Sequence, residues 1–230
     1  MNTAIIVAAG KGKRFGAKKP KQFLEIAGKP IIIHTLECFE SCSVIDETIL
    51  VLPVEEIENF RQLAEKFNLK KLVKIVSGGD TRAASVLNGL NAVDSLKTEI
   101  VAVHDGARPL VSNEEITDTI KKAKETGAAC LVAPVTDTIK EISAGKIVRT
   151  IYRAHLRRAL TPQCFRYEIL KRAFAEIDFN ESVTDECFLV EKLGIEISIV
   201  EGSARNVKIT HKEDLAIAEI FLREMSDIRC

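Results

Sequence analysis

Cations crowd the opening loop of this chain. From Lys11 to Glu25 there are six basic residues and one acidic residue: Lys11, Lys13, Arg14, Lys18, Lys19 and Lys21 against Glu25. Gly10, Gly12 and Gly16 are interleaved with them, and the whole run follows a short apolar segment, Ala4–Ala8. Glycine lets an anion approach the backbone closely enough for N–H groups to donate to it, and the cations neutralise its charge. A solvated surface loop would account for the charge alone. Glycines placed directly after a buried strand favour a phosphate site at the carboxyl end of that strand.

The spacing argues against two familiar phosphate loops. Gly10, Gly12 and Gly16 put the third glycine one position late for G-x-G-x-x-G, and the next strand ends in Pro53 with Glu55 and Glu56 beyond it rather than an acid at its tip. No G-K-[ST] closes the run, so a P-loop fails too. Phosphoryl or nucleotidyl transfer suits the residues better. Arg14 and Lys21 could neutralise charge developing on an α-phosphorus and a pyrophosphate leaving group. Asp105, at a strand tip in VHDGARP, has the position of a magnesium ligand, although a turn aspartate would look the same. Arg153 and Lys208 lie in segments that also supply Thr161 and Thr210, and Thr184-Asp185-Glu186 offers a hydroxyl at a helix start. Such groups would hold a second phosphorylated substrate, while each cation singly also reads as a solvated side chain. No Ser-His-Asp arrangement occurs, and His34, His104, His155 and His211 form no metal-ligand pattern. His104 reads as structural, since a phosphate oxygen that attacks needs no general base.

These groups need a scaffold, and the composition provides for one. The 230 residues are 46% hydrophobic and 29% charged with zero formal net charge, enough for one large α/β domain with a substantial core. A global basic field for nucleic acid is absent. The six cysteines, Cys38, Cys42, Cys130, Cys164, Cys187 and Cys230, form no CxxC pair and read as thiols of a reducing compartment. No signal peptide or span of 18 apolar residues is present, so the expectation is a cytoplasmic chain without a membrane partner.

Strands are expected at Ala4–Ala8, Thr48–Leu52, Val73–Val76, Ile100–His104 and Ala128–Ala133. Between them helical periodicity runs over Ile31–Phe39, Val54–Asn68, Thr81–Leu96 and Glu114–Thr126, the last with Ser112 or Asn113 as N-cap and Gly127 as its stop. This alternation predicts a mainly parallel sheet with right-handed crossovers. The rhythm breaks at 134–153, where two β-prone segments around Ser143-Ala144-Gly145-Lys146 predict a hairpin. That hairpin either packs on its own domain or forms an arm toward a second subunit. Thr161–Phe165 returns the chain. Helices over Arg166–Ala175 and Thr184–Leu193 (capped by Thr184) follow, then strands at Ile195–Val200 and Val207–Thr210 and a last helix, Asp214–Met225. A single domain, 1–230, with a hairpin inserted near 136–152 is the expected organisation.

The motifs together resemble one family. AAGKGKRFG with PKQF, GGDTRAASVLNGL, VHDGARP, PVTDTIK, R-x7-TPQ-x-F, TDE and G-x3-NVKIT occur in order across nearly the whole chain, as in the 2-C-methyl-D-erythritol 4-phosphate cytidylyltransferases of the non-mevalonate isoprenoid pathway. The resemblance implies a Rossmann-like three-layer sandwich with a mixed, mostly parallel sheet and a protruding β-arm that builds a homodimer. It implies condensation of CTP with a sugar-alcohol phosphate, methylerythritol 4-phosphate, using Mg²⁺ or another divalent cation and releasing pyrophosphate. Matched residue by residue, Arg14 and Lys21 would stabilise the transition state. Ala8, Ala9, Gly10, Gly79, Asp80, Arg82 and Ser85 would contact the nucleotide. Asp105 would contact metal and sugar, with Lys208 as phosphate and metal-site neighbour. Arg108, Thr138, Arg153, Thr161 and Thr184 would form the methylerythritol phosphate pocket with Asp105, partly across the dimer. Arg157 stands where family members often carry an aromatic residue, a departure that bears on local packing. A sister group with the same motifs uses ribitol 5-phosphate. A non-catalytic nucleotide sensor or scaffold would be expected to have lost Arg14, Lys21 or Asp105, and all three are present.

Overall fold

The computed structural model describes residues 1–10, 15, 20–178 and 183–227, with side chains described up to 224. The N-terminal apolar run forms β1 (Asn2–Val7). A short pair, β2 (Glu25–Ile26) and β3 (Lys29–Pro30), leads into α1 (Ile31–Ser41). Then come β4 (Glu47–Leu52), α2 (Ile57–Ala64), β5 (Leu72–Ser77), α3 (Arg82–Asn91), β6 (Ile100–Asp105), α4 (Asn113–Thr126) and β7 (Ala128–Pro134). A hairpin of β8 (Ile139–Ser143) and β9 (Lys146–Ile151) precedes β10 (Arg157–Arg166). The chain continues through α5 (Tyr167–Glu176), α6 (Glu186–Lys192), β11 (Ser198–Glu201) and α7 (Lys212–Asp227).

Among the described residues, seven strands form one sheet in the order β11-β7-β10-β6-β1-β4-β5. All neighbours are parallel except β10, which runs antiparallel to β6 and β7. The hairpin explains the exception: the chain leaves the sheet at the end of β7, turns through β8 and β9, and returns beside β7 in the opposite direction. The segment expected to return the chain, Thr161–Phe165, is part of one ten-residue strand, with an irregularity between Ala159 and Gln163 where Pro162 has no N–H to give the ladder.

Strand alternation divides the core into two layers. Ala4, Ile6, Leu50, Leu52 and Ala102 pack with Ile32, Leu36, Phe60, Ile116 and Ile120 of α1, α2 and α4. Ile5, Val51, Val101, Val103 and Phe165 face the other way, onto Val86 and Leu90 of α3 and onto α5 and α6. This is a Rossmann-like three-layer α/β sandwich. Of the two predicted N-caps of α4 the structure uses Ser112, in a capping box: Glu115 N–H donates to Ser112 Oγ (3.1 Å) and Ser112 N–H donates to the Glu115 carboxylate (2.9 Å). Gly127, at φ 94°, ends the helix. The predicted cap of α6 is corrected: Asp185, not Thr184, accepts from Phe188 N–H (3.0 Å). A carboxylate at that position also suits the helix dipole. Residues 207–210 make no strand, and α3 stops at Asn91 rather than Leu96.

The site's foundation is a register. Val7 pairs with Asp105 across β1 and β6, so the loops leaving these two strands emerge side by side, where the connections diverge to opposite sides of β1. Gly106 makes that closeness possible. A Cβ there would lie 2.8 Å from Ala8 Cβ, 2.9 Å from Ile32 Cδ1 and 3.3 Å from the Val7 carbonyl. Gly106→Ala should lower the unfolding free energy by about 1–3 kcal/mol, the usual cost of overpacking, measured as a reduced urea midpoint. An unchanged midpoint would show that the strand ends tolerate separation.

Candidate active site

A cleft of about 500 Å³ opens over the carboxyl ends of β1 and β6. One wall is the chain after β1: Ala8, Ala9 and Gly10, then Lys21 and Gln22. Ala8 N–H still donates to Val51 (2.9 Å), and the buried Gln22 side chain donates to the Ala8 carbonyl (2.6 Å), fixing the wall where strand pairing ends. The opposite wall is the segment Gly79, Asp80, Thr81 and Arg82 with Ser85 from α3. Thr81 caps α3 by accepting from Ala84 N–H (3.1 Å). Ser85 Oγ accepts from Gly79 N–H (3.1 Å) and donates to the Thr81 carbonyl (2.9 Å). Gly78 lets the two walls meet, since a Cβ there would fall 2.2 Å from Ala9 Cβ. Thr210 and Lys208 close a third side.

Asp105 is the electrostatic centre. Its Oδ1 accepts from Arg82 Nε (3.2 Å), and its Oδ2 accepts from Arg108 Nε (3.3 Å) and Lys208 Nζ (2.8 Å). Burial alone would raise its pKa, but Arg82, Lys208 and Arg108 outweigh that and hold it well below the usual carboxylate range. Arg82 reaches further, donating through its NH1 to Glu186 Oε1 (2.6 Å). Burial opposes its charge, yet Glu186 and then Asp105 keep the guanidinium above its ordinary value. Glu186 has no exposed side-chain surface, and among the described residues its Oε2 has no hydrogen-bond partner. Burial, only partly offset by Arg82, raises its pKa.

The strap at 206–210 is tied down from several sides. Arg108 NH1 donates to the Asn206 carbonyl (2.8 Å), Asn206 Nδ2 donates to the Thr161 carbonyl (3.0 Å), and Ile209 N–H donates to Ala107 (2.9 Å). Lys21 Nζ donates to the Ile209 carbonyl (2.5 Å), which brings the first wall against the strap. Behind Asp105, its own N–H donates to Thr161 Oγ1 (3.2 Å). Thr161 Oγ1 also meets His104 Nδ1 (3.0 Å), while His104 Nε2 lies 3.1 Å from the Arg108 carbonyl. A carbonyl can only accept, so Nε2 carries the proton and Nδ1 accepts from the threonine. Burial lowers the His104 pKa to about 4. The imidazole is thus a neutral brace under the charge cluster, as the sequence suggested.

All seven residues expected to contact the nucleotide line this cleft, Ala8, Ala9, Gly10, Gly79, Asp80, Arg82 and Ser85, together with Lys21, Asp105 and Lys208. Arg14, like Lys11, Lys13, Lys18 and Lys19, lies outside the described residues. Of the residues expected around the second substrate, Arg108 and Thr161 meet at Asp105, whereas Thr138, Arg153 and Thr184 do not line the cleft. Arg108 and Thr161 are buried beneath Asp105. Thr138 and Arg153 are exposed at the base of the hairpin, where Arg153 donates to the Thr136 carbonyl, and Thr184 is exposed before α6. Reading by residue type passed over Gln22 and Glu186. Gln22 stood in the PKQF motif, and Glu186 looked like an ordinary acid in the first turn of a helix.

Among the described residues, no group of three or more His, Cys, Asp or Glu side chains could hold a metal. Asp105 nevertheless fits a hard divalent cation that is completed by phosphate oxygens and water. Mg²⁺ commonly takes only one or two protein carboxylates beside a nucleotide. No helix among the described residues is long and apolar enough to cross a membrane.

Comparison with known proteins bears on this geometry. The family model for IspD, 2-C-methyl-D-erythritol 4-phosphate cytidylyltransferase, matches residues 2–224. A curated protein of that name from Clostridium perfringens is 46% identical over 224 residues, covering 96% of this chain and 98% of its own. Another, from Bacillus velezensis, is 43% identical and covers 96% of each. The crystal structure of the Francisella tularensis 2-C-methyl-D-erythritol 4-phosphate cytidylyltransferase superposes with a TM-score of 0.80 at 34% identity, over 96% of this chain and 99% of that one. The 4-diphosphocytidyl-2C-methyl-D-erythritol synthase of Anaerococcus prevotii gives a TM-score of 0.84 at 28% identity, over 96% of both.

The brace under Asp105 makes stability depend on pH. The unfolded chain protonates His104 near its ordinary value of 6.5, whereas the folded chain resists until about 4. Between these values the unfolded state binds more protons, so this contribution is complete above about 6.5 and is lost as pH falls toward 4. The raised carboxyl of Glu186 works in the opposite sense, so the contribution is read as a difference between variants. His104→Gln should flatten the fall of the urea midpoint between pH 6.5 and 4. An identical slope would place the sensitivity elsewhere.

Proposed function

This chain belongs to the 2-C-methyl-D-erythritol 4-phosphate cytidylyltransferase family and condenses CTP with 2-C-methyl-D-erythritol 4-phosphate to 4-diphosphocytidyl-2-C-methyl-D-erythritol and pyrophosphate; from that premise we propose how its residues divide the work. The cleft over β1 and β6 is the CTP site. One observation carries this: Lys21, Arg82, Asp105 and Lys208, drawn from four separate segments, face a single cleft walled by backbone on two sides. Ala8, Ala9, Gly10, Gly79, Asp80 and Ser85 hold the nucleoside, with backbone groups reading its edge.

A phosphate oxygen of methylerythritol phosphate attacks the α-phosphorus of CTP. The new P–O bond forms as the bond from that phosphorus to the α,β-bridging oxygen breaks, and pyrophosphate leaves with the electron pair. No proton need move. Arg14 and Lys21 supply the positive charge that the transition state requires and the ground state requires less. A nucleotidyltransferase of this kind typically uses a divalent metal, which we assign as Mg²⁺ held by Asp105; when bound, it neutralises charge on the triphosphate oxygens. Lys208, paired with Asp105 Oδ2, would contribute positive charge to the phosphates. Arg108 and Thr161 orient Asp105 from below.

The second substrate's phosphate is assigned to Arg153 and Thr138, with Thr184 at the mouth. In one copy these residues stand apart from the cleft, so the reading requires a homodimer in which each hairpin arm completes its neighbour's site. The exposed apolar residues of the arm, Ile142, Ile147, Val148 and Tyr152, support such docking. Residues 1–230 then act as one domain with the arm as an insertion, working in the cytoplasm. Close relatives named for methylerythritol phosphate favour that substrate over ribitol 5-phosphate, and a pyrophosphate-release assay crossing both with CTP, UTP, ATP and GTP tests the choice.

Lys21→Ala should lower turnover by about 10²–10³-fold, the scale of losing a transition-state donor, while circular dichroism stays unchanged; near-normal pyrophosphate release would remove Lys21 from the clamp. Arg153→Ala should be inactive for a different reason. Mixing the two inactive variants and allowing subunits to exchange should restore about a quarter of wild-type activity, because half the dimers then contain one intact site of two. No recovery would mean that Arg153 serves its own copy.

A further inference from the structure

Glu186 is a cost that the fold has no evident reason to bear. Its side chain is fully buried, one carboxylate oxygen lacks a partner among the described residues, and it does not line the cleft. Such a group seldom adds net stability; a well-packed apolar side chain would usually serve as well. Its backbone is nonetheless fixed with care. Gln163 Oε1, on the central strand β10, accepts from the N–H groups of both Glu186 (3.2 Å) and Cys187 (3.1 Å), and Gln163 Nε2 donates to Asp185 Oδ2 (2.9 Å). The sheet thus holds this carboxylate against Arg82. Arg82 spans two acids unequally: 2.6 Å from NH1 to Glu186 and 3.2 Å from Nε to Asp105. The longer contact sits on Asp105 Oδ1, while Arg108 and Lys208 take Oδ2.

We propose that Glu186 is a positioning residue that retains Arg82 in the cleft wall when Asp105 turns to a divalent cation, so that Arg82 exchanges Asp105 for the incoming triphosphate. The inference rests on the assignment of the cleft to CTP and of Asp105 to the metal. Without Glu186, the guanidinium keeps Asp105 as its remaining anionic partner and competes with the cation for it. With Glu186, Arg82 has a second anchor and can release Asp105 without leaving the site. Glu186 therefore couples metal and nucleotide binding without touching either.

The test is calorimetric titration of CTP, without the second substrate, in Mg²⁺ and in a chelator. In Glu186→Gln, which keeps the shape but removes the charge, CTP affinity should fall about tenfold in Mg²⁺, a typical size for coupling between linked sites, and less than about twofold in chelator. The KM for CTP should rise in step while kcat changes little. An equal loss in both titrations, or none in Mg²⁺, overturns the proposal. If Glu186→Gln does not melt cooperatively, Arg82→Lys takes its place, because one ammonium cannot bridge both acids; the same metal-specific loss supports the coupling and a metal-independent loss rejects it. The parent and Asp105→Asn separate the two levels. If Mg²⁺ does not tighten CTP binding to the parent, or Asp105→Asn leaves that tightening intact, the metal assignment itself fails and takes the inference with it.

Discussion

Three cations share one carboxylate in this protein, and the cleft keeps its shape because they do. Arg82, Arg108 and Lys208 come from the start of α3, the turn after β6 and the strap after β11. Brought together without Asp105 they would repel one another in surroundings that water only partly screens. With it, each segment is fixed by a charge-assisted contact, and the strap also gains backbone bonds to the β6 turn. A site built to receive a highly charged anion must hold excess positive charge before the anion arrives. Asp105 makes that tolerable and, on the proposed reading, also meets the metal.

The second constraint comes from the hairpin. To send β8 and β9 away from the sheet and return beside the point of departure, the chain must re-enter antiparallel to β7. β10 therefore interrupts an otherwise parallel sheet. The interruption is useful. β10 carries Thr161, which braces Asp105 through its backbone N–H, and Gln163, which fixes the start of α6 and with it Glu186. Arm and catalytic foundation are thus consecutive parts of one excursion of the chain.

Much of the scaffold was legible from periodicity. Runs such as Ala4–Ala8 and Ala128–Ala133 are too short and apolar for surface helices, and Ser112 with Glu115 carries a helix start in two residues. Where reading failed, tertiary context decided. Val207 and Ile209 look β-prone, but they pack with α7 and the strap has no ladder. Arg157–Arg166 contains a proline and carries no clean strand pattern, yet it pairs with a strand on each side. Thr184 and Asp185 are both good caps, and the backbone chose the second. In the cleft, the glycine-led wall after β1 and Asp105 stand out by residue type and motif, and both line it. The partner of Arg82 does not stand out, since Glu186 lies 104 residues away in sequence and nothing local distinguishes it from a helix-terminal acid.

The hairpin arm has one further consequence. Residues of β8 and β9 are exposed almost throughout, and a two-stranded ribbon without a hydrophobic face to cover is marginal by itself in water. Its local opening free energy must be near the bottom of the range found across a structure, far below that of β1 or β6. In an isolated copy the amides of the arm would exchange with solvent almost as freely as those of a peptide, while the sheet beneath stayed protected. On the proposed dimeric reading a neighbouring surface supplies the arm's order, and the arm's exchange rate then measures how much of the chain has found one.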